Sequence, residues 1–246
     1  MILDFLVLAF LVVAAFIGGV LDATVGGGGF LVIPAIVFSG SVMQYAIGTS
    51  RLIFLMDSGS AMLGHARRSN IDYKLAATYG VFSIAGTQFG AYVSKSLPSA
   101  MLAKVFGFFM LAMLLAIILQ PRMGLEKKAP KSRILAIPAG LLMGFLIGLF
   151  GGGVGVLIIV ALVLISGATL LSASGTSQVI VFMSNVFALA AYYAYGLVDL
   201  KLGLLMGVAA FFGAQAGVQL AHRYGSGWLR MMLVAVTLAS SVKLIL

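Results

Sequence analysis

Two kinds of residue in this chain can hold an anion without a formal positive charge: glycines in runs, and hydroxyls on short side chains. The runs "VGGGGF" (25–30) and "GGGVGVL" (151–157) each stand directly ahead of a short apolar stretch. A backbone break without side chains lets N–H groups approach a solute closely. The start of the next helix adds unpaired N–H donors and partial positive charge. Together these bind anions. "GTS" occurs twice, at 48–50 and 175–177. Placed at helix starts, its hydroxyls would cap the helix and also donate to an anion. The candidate contacts are therefore Gly26, Gly27, Gly28, Gly29, Thr49 and Ser50, with Gly153, Gly155, Thr176 and Ser177 in the second copy. A nucleotide phosphate loop is not indicated, because no Lys-Ser or Lys-Thr follows "GGGGF".

A second group of candidates carries charge or an amide within apolar stretches, where such groups are costly and functional suspects. Arg51 follows the first GTS and either grips an anion bidentately or snorkels to the nearby interface. Gln178 stands at the corresponding place after the second GTS. Asp57 lies six residues beyond Arg51, on a different face of a helix, so a direct pair is not expected. Asp57 and Asp22 are candidates for proton or charge coupling, against simple hydrogen bonding to a neighbouring helix. Gln88 and Gln215 either line a pathway or bond across helices. His65 and His222 border basic loops and read as interfacial. Asp72 and Asp199 open helices, where their charge suits the macrodipole.

The elements that must position these residues are membrane helices. Of 246 residues, 62% are hydrophobic and 9% charged, and the mean hydropathy is +1.19. A soluble domain of this length needs far more polar surface. The net charge of +9 does not indicate nucleic acid, because the Lys and Arg clusters lie between apolar runs, as cytoplasmic loops do. Asp4 precedes the first apolar stretch, which argues against a cleavable signal peptide. A helix needs about 20 apolar residues to cross the bilayer. Eight segments qualify: 3–21, 48–65, 75–94, 101–119, 134–150, 176–195, 201–221 and 229–246. Two shorter stretches, 30–39 and 156–166, each follow a glycine cluster.

The chain repeats itself. "AIGTS" (46–50) recurs as "ASGTS" (173–177), 127 residues later. At that offset, 14 of the 43 positions from 48 to 90 are identical to 175–217 without a gap, which marks an internal duplication. The predicted organisation is a membrane repeat over 1–120, a basic cytoplasmic linker over 121–133 and a second repeat over 134–246. If the linker is inside, the basic loop 65–70 is also inside. In the second half the matching loop carries only Lys201, and the charge moves to the turn at 221–230. That one-span shift predicts inverted halves of five helices each, short ones included, with both ends outside. The other arrangement compatible with the segments is eight spans in parallel 4+4 halves.

Taken together, these segments resemble the sulfite exporter TauE/SafE family over nearly the whole chain. The resemblance rests on "GGGGFLVIP" (26–34), "AIGTS", "HARRSNIDYKLA" (65–76) and "GTQFGAY" (86–92), with their echoes "GGGVGVLII", "SGTS", "VDLKLG" and "GAQAGV". It implies a polytopic permease of the bacterial cytoplasmic membrane that moves sulfite, sulfonates or related anions. The glycine runs and both Gly-Thr-Ser segments would form its central site. Two departures stand out: Arg51 occupies a place that is usually apolar in the family, and Pro34 has Ala161 as its counterpart. The expected partners are a small anion and the lipid bilayer, with a homodimer left open, and no cofactor, metal or nucleic acid. Two His at opposite ends of the chain and no Cys leave no catalytic constellation. A secondary transporter is the leading reading, and a passive anion channel the alternative.

Overall fold

The computed structural model describes residues 2–68, 70–119 and 135–224, together with 238, 240, 241, 243 and 244. Among them the fold is all helical, with no strand. In chain order the helices are α1 (Ile2–Val25), α2 (Gly29–Phe38), α3 (Met43–Ala66), α4 (Tyr73–Ser96), α5 (Ser99–Leu119), α6 (Ala136–Phe150), α7 (Gly155–Leu164), α8 (Leu170–Ala194) and α9 (Leu200–Tyr224). Helices are the form such a sequence must take in lipid, since each backbone polar group left unpaired there costs several kcal/mol. Three are long and apolar enough to cross a membrane: Phe5–Val25, Leu170–Ala194 and Leu200–Arg223. The stretches Gly29–Phe38, Ser99–Leu115, Ala136–Phe150 and Gly155–Leu164 are apolar but shorter. The predicted linker 121–133, its basic residues and most of the predicted last span lie outside the described residues.

Local chemistry sets the boundaries. Gly26, at φ +76°, closes α1, and Gly151, at φ +92°, closes α6. Both conformations suit a residue without Cβ. Asp72 caps α4 by accepting the N–H groups of Lys74 (3.1 Å) and Leu75 (3.0 Å). Thr169 caps α8 through the N–H of Ser172.

The packing comes in matched couples. α4 lies along α6 as α1 lies along α9, and α3 meets α9 as α8 meets α4. α3 and α8 pack on each other between these layers. Glycines bring the layers close: Gly86 and Gly90 sit against the α6 backbone, and Gly213 and Gly217 against that of α1. A Cβ at any of the four would strike a carbonyl of the facing helix. Small residues at such crossings are how membrane helices approach without a hydrophobic driving force.

Candidate functional site

The site is built where two helices stop. α1 and α6 both end at a glycine cluster near the middle of the molecule, and each leaves C-terminal carbonyls that must be satisfied internally. At the end of α1, His65 Nε2–H donates to the Ala23 carbonyl at 3.2 Å. Ser174 Oγ reaches the Ala23 and Thr24 carbonyls, both at 3.3 Å, and Gln178 Nε2 donates to Asp22 O at 2.9 Å. At the end of α6, Arg51 donates from Nη2 to Gly148 O at 3.0 Å and from Nη1 to Gly151 O at 3.2 Å. The Tyr192 hydroxyl donates to Gly148 O at 2.9 Å, and the guanidinium carbon lies 5.0 Å from the centre of its ring. Each broken helix is thus held by one side chain from its own half, and by one (α6) or two (α1) from the other half.

The two breaks then meet backbone to backbone. Val156 N–H donates to Gly26 O at 3.2 Å. A Cβ on Gly26 would collide with Gly155, and one on Gly29 with Gly152. The glycine runs are therefore a tight contact, and the first run, Gly26–Gly29, does not line an open hollow. Beside it lies a cavity of about 10 Å³, the room of roughly one water. Its wall is the Gly151–Gly155 segment, with Asp22, Phe54, Ile147 and Val181. Gly28 N–H donates to Asp22 Oδ1 at 3.2 Å. In the second half Leu149 holds the place that Asp22 holds in the first. Among the described residues, the N–H groups of Gly152, Gly153, Val154 and Gly155 make no hydrogen bond.

The Asp22 carboxyl faces the side chains of Asp57 and Gln178. Both Asp57 oxygens and Gln178 Oε1 are buried without a hydrogen-bond partner. Arg51 and Asp57 are not paired, as their spacing predicted; neither carboxyl has an ion-pair partner among the described residues.

Several expectations need correcting. The GTS segments do not start helices: α3 begins at Met43 and α8 at Leu170, so both triplets lie in the second helical turn. Nothing in 43–47 or 170–174 breaks a helix, so the turn forms upstream of GTS. Thr49 Oγ1 instead accepts the N–H of Asp199, and Thr176 Oγ1 that of Asp72, each at 3.0 Å. Ser50 and Ser177 Oγ donate back to the carbonyls of Ile47 and Ser174, each at 2.7 Å. Arg51 does not snorkel, because it is fully buried and spent on the α6 carbonyls. Gln88 and Gln215 bond across helices, to Phe187 O (3.1 Å) and Ser60 O (2.7 Å), and sit away from the cavity. His65 is fully buried and serves the end of α1, its ring 6.1 Å from that of His222. Sequence reasoning missed Tyr192 and Ser174. The signal for Tyr192 was available, since it stands 127 residues after His65 and does the same task.

Among the described residues the protein is all helical, with broken helices meeting at buried polar groups, which is consistent with a polytopic membrane protein, and its family and relatives make it a membrane transporter. Residues 11–244 match the sulfite exporter TauE/SafE family, and the chain belongs to it. A Sinorhizobium protein named "Probable membrane transporter protein ORF9" is 35% identical over 99% of this chain and 94% of its own length. A "Probable membrane transporter protein" of Haemophilus influenzae is 28% identical over 97% and 94%. One of Methanocaldococcus jannaschii is 28% identical over 94% and 92%. No solved structure matches the chain.

Proposed function

We propose that this membrane transporter is a secondary carrier for small sulfur oxyanions, sulfite or organosulfonates, and exports them across the bacterial cytoplasmic membrane. One observation carries the reading: the segment Gly152–Gly155, whose amides make no hydrogen bond among the described residues, lines a buried cavity where the two helix breaks meet. Unbonded amides at a helix start hold an oxyanion without needing a cation. The cavity is too small for sulfite, so binding requires the breaks to part. The Gly26–Gly155 and Gly29–Gly152 contacts are backbone against backbone, so parting them requires the Phe30 ring to leave Gly153.

The matched couples of helices support two related halves, 1–120 and 134–246; the shift of the basic loop by one span makes them inverted in this reading, joined by the linker 121–133 and rocking about the central contact. The Thr49 and Thr176 bonds tie each half to a helix start of the other. In this reading the GTS hydroxyls set the separation of the halves, and Arg51 and Gln178 fix the helix ends that frame the site. An inside-negative potential favours anion exit by about 2.3 kcal/mol per charge per 100 mV.

The test is a thermal-shift panel of sulfite, sulfonates, sulfate and carboxylates on purified protein, followed by counterflow in proteoliposomes. The expected result is stabilisation by sulfur oxyanions and acceleration of efflux by substrate on the far side. A panel without any shift sinks the substrate assignment, and flux without counterflow identifies a passive channel.

A further inference from the structure

In the buried group around Asp22, acceptors outnumber the donors that reach them; Gly28 N–H is bonded to Asp22 Oδ1. Asp57 contributes two unpartnered oxygens and Gln178 its unpartnered Oε1, and all three side chains are at most 4% exposed. They come from three elements: Asp22 from α1, Asp57 from α3 and Gln178 from α8. Among the described residues, nothing packed around them supplies a cation. α3 also carries Arg51, but its guanidinium is committed to Gly148 and Gly151. Its His65 donates to Ala23 O. α8 brings Tyr192, committed to Gly148, and Asn185, which is neutral. α2 and α7 contain no titratable residue. The charged residues of α9 lie at its two ends: Lys201, His222 and Arg223. A set of acceptors shut away from water needs a hydrogen-bearing or positive guest.

The same cavity is lined by Asp22 and by Gly152–Gly155, whose amides make no hydrogen bond among the described residues. An oxyanion placed on those amides would meet the Asp22 carboxylate at close range, in a medium that screens poorly. We propose that Asp22 and Asp57 form a proton-uptake site that is filled whenever an oxyanion occupies the cavity, so that each anion crosses with one proton. This rests on the oxyanion reading given above. The step is a proton transfer alone: a proton leaves water for a carboxylate oxygen, Asp57 or Gln178 accepts its hydrogen bond, and it returns to water on the side where the anion departs. No other bond changes. A dianion such as sulfite then moves as a single net negative charge, which the membrane potential still drives outward, whereas a singly charged sulfonate moves without net charge.

The test is calorimetric binding of sulfite to the purified full chain at pH 9, in two buffers of different ionisation enthalpy. The difference between the two heats counts protons taken up on binding. The expected result is about one proton per sulfite for the native protein, falling to near zero in Asp22→Asn and in Asp57→Asn. Sulfite binding without proton uptake by the native protein overturns the inference and leaves the transport reading standing. Sulfite affinity that requires sodium, compared with choline at the same ionic strength, overturns the proton in favour of a metal cation. Absence of sulfite binding to the native protein overturns the transport reading itself. The native-protein arm decides the question even where a variant fails to fold.

Discussion

The carbonyl of Gly26 accepts the amide hydrogen of Val156 at 3.2 Å, so the end of one broken helix is bonded to the start of the other. The bond spans the two halves of the chain. In the proposed carrier cycle this bond has to open, because it sits where the cavity would have to widen.

Gly26 should therefore be the least replaceable glycine of its run. Its φ of +76° disfavours any side chain, and a Cβ would collide with Gly155. Gly196 has φ +69° but open space around it. Gly196→Ala is expected to cost about 1–2 kcal/mol, the left-handed penalty alone. Gly26→Ala adds overpacking of roughly 1–3 kcal/mol. Thermal unfolding in detergent should show the larger drop for Gly26→Ala. Equal drops would mean that the breaks are not packed as described.

Arg51 is expected to act as a strut. Arg51→Leu leaves Gly151 O unpartnered in a dry environment, at a cost of about 1–3 kcal/mol. Arg51→Gln should recover part of that loss, since Gln178 holds the Asp22 carbonyl from the matching position. Melting temperatures of the three proteins give the ranking. A leucine variant as stable as the native protein but unable to bind sulfite would make the guanidinium a ligand instead.

Thr49→Val and Thr176→Val are predicted to behave as twins. Each removes the acceptor of one helix-opening amide, Asp199 or Asp72, which lies partly buried. The cost is near the lower end of the orphaned-donor range, about 1 kcal/mol each. Equal shifts in melting temperature are expected, and a several-fold loss of sulfite affinity in either would return the hydroxyl to the site.

Much of this was legible in the sequence, for a physical reason. Glycine runs in an apolar chain have few uses, and a duplication shows which positions act in pairs. The break at Gly26 and the helix-opening role of Asp72 follow from residue type and the 127-residue offset, whereas the shared task of Arg51 and Gln178 was hidden by their difference in charge. The starts of α3 and α8 were missed because polar GTS looks like a cap. Ala46, Ile47 and Ala173 extend the helix past it, since lipid-embedded backbone gains by adding a turn. The tight meeting of the runs was also hidden: a glycine that lets a ligand approach and one that lets a backbone approach read the same. Only the fold says which neighbour arrived.

Whether the halves move against each other can be asked with one bond. Ser83 on α4 and Ser184 on α8 face across the halves with their hydroxyl oxygens 2.7 Å apart, both buried. Two cysteines there would be placed to form a disulfide of about 2.05 Å, and the native chain has no cysteine to compete. In Ser83→Cys/Ser184→Cys, oxidation is expected to abolish sulfite flux in proteoliposomes and a reductant to restore it, because rocking must shear the α4–α8 contact. The single-cysteine proteins control for loss of the hydroxyl pair. Flux that continues at full rate in the oxidised protein would fit a pore whose halves stay still, and the carrier mechanism would fall.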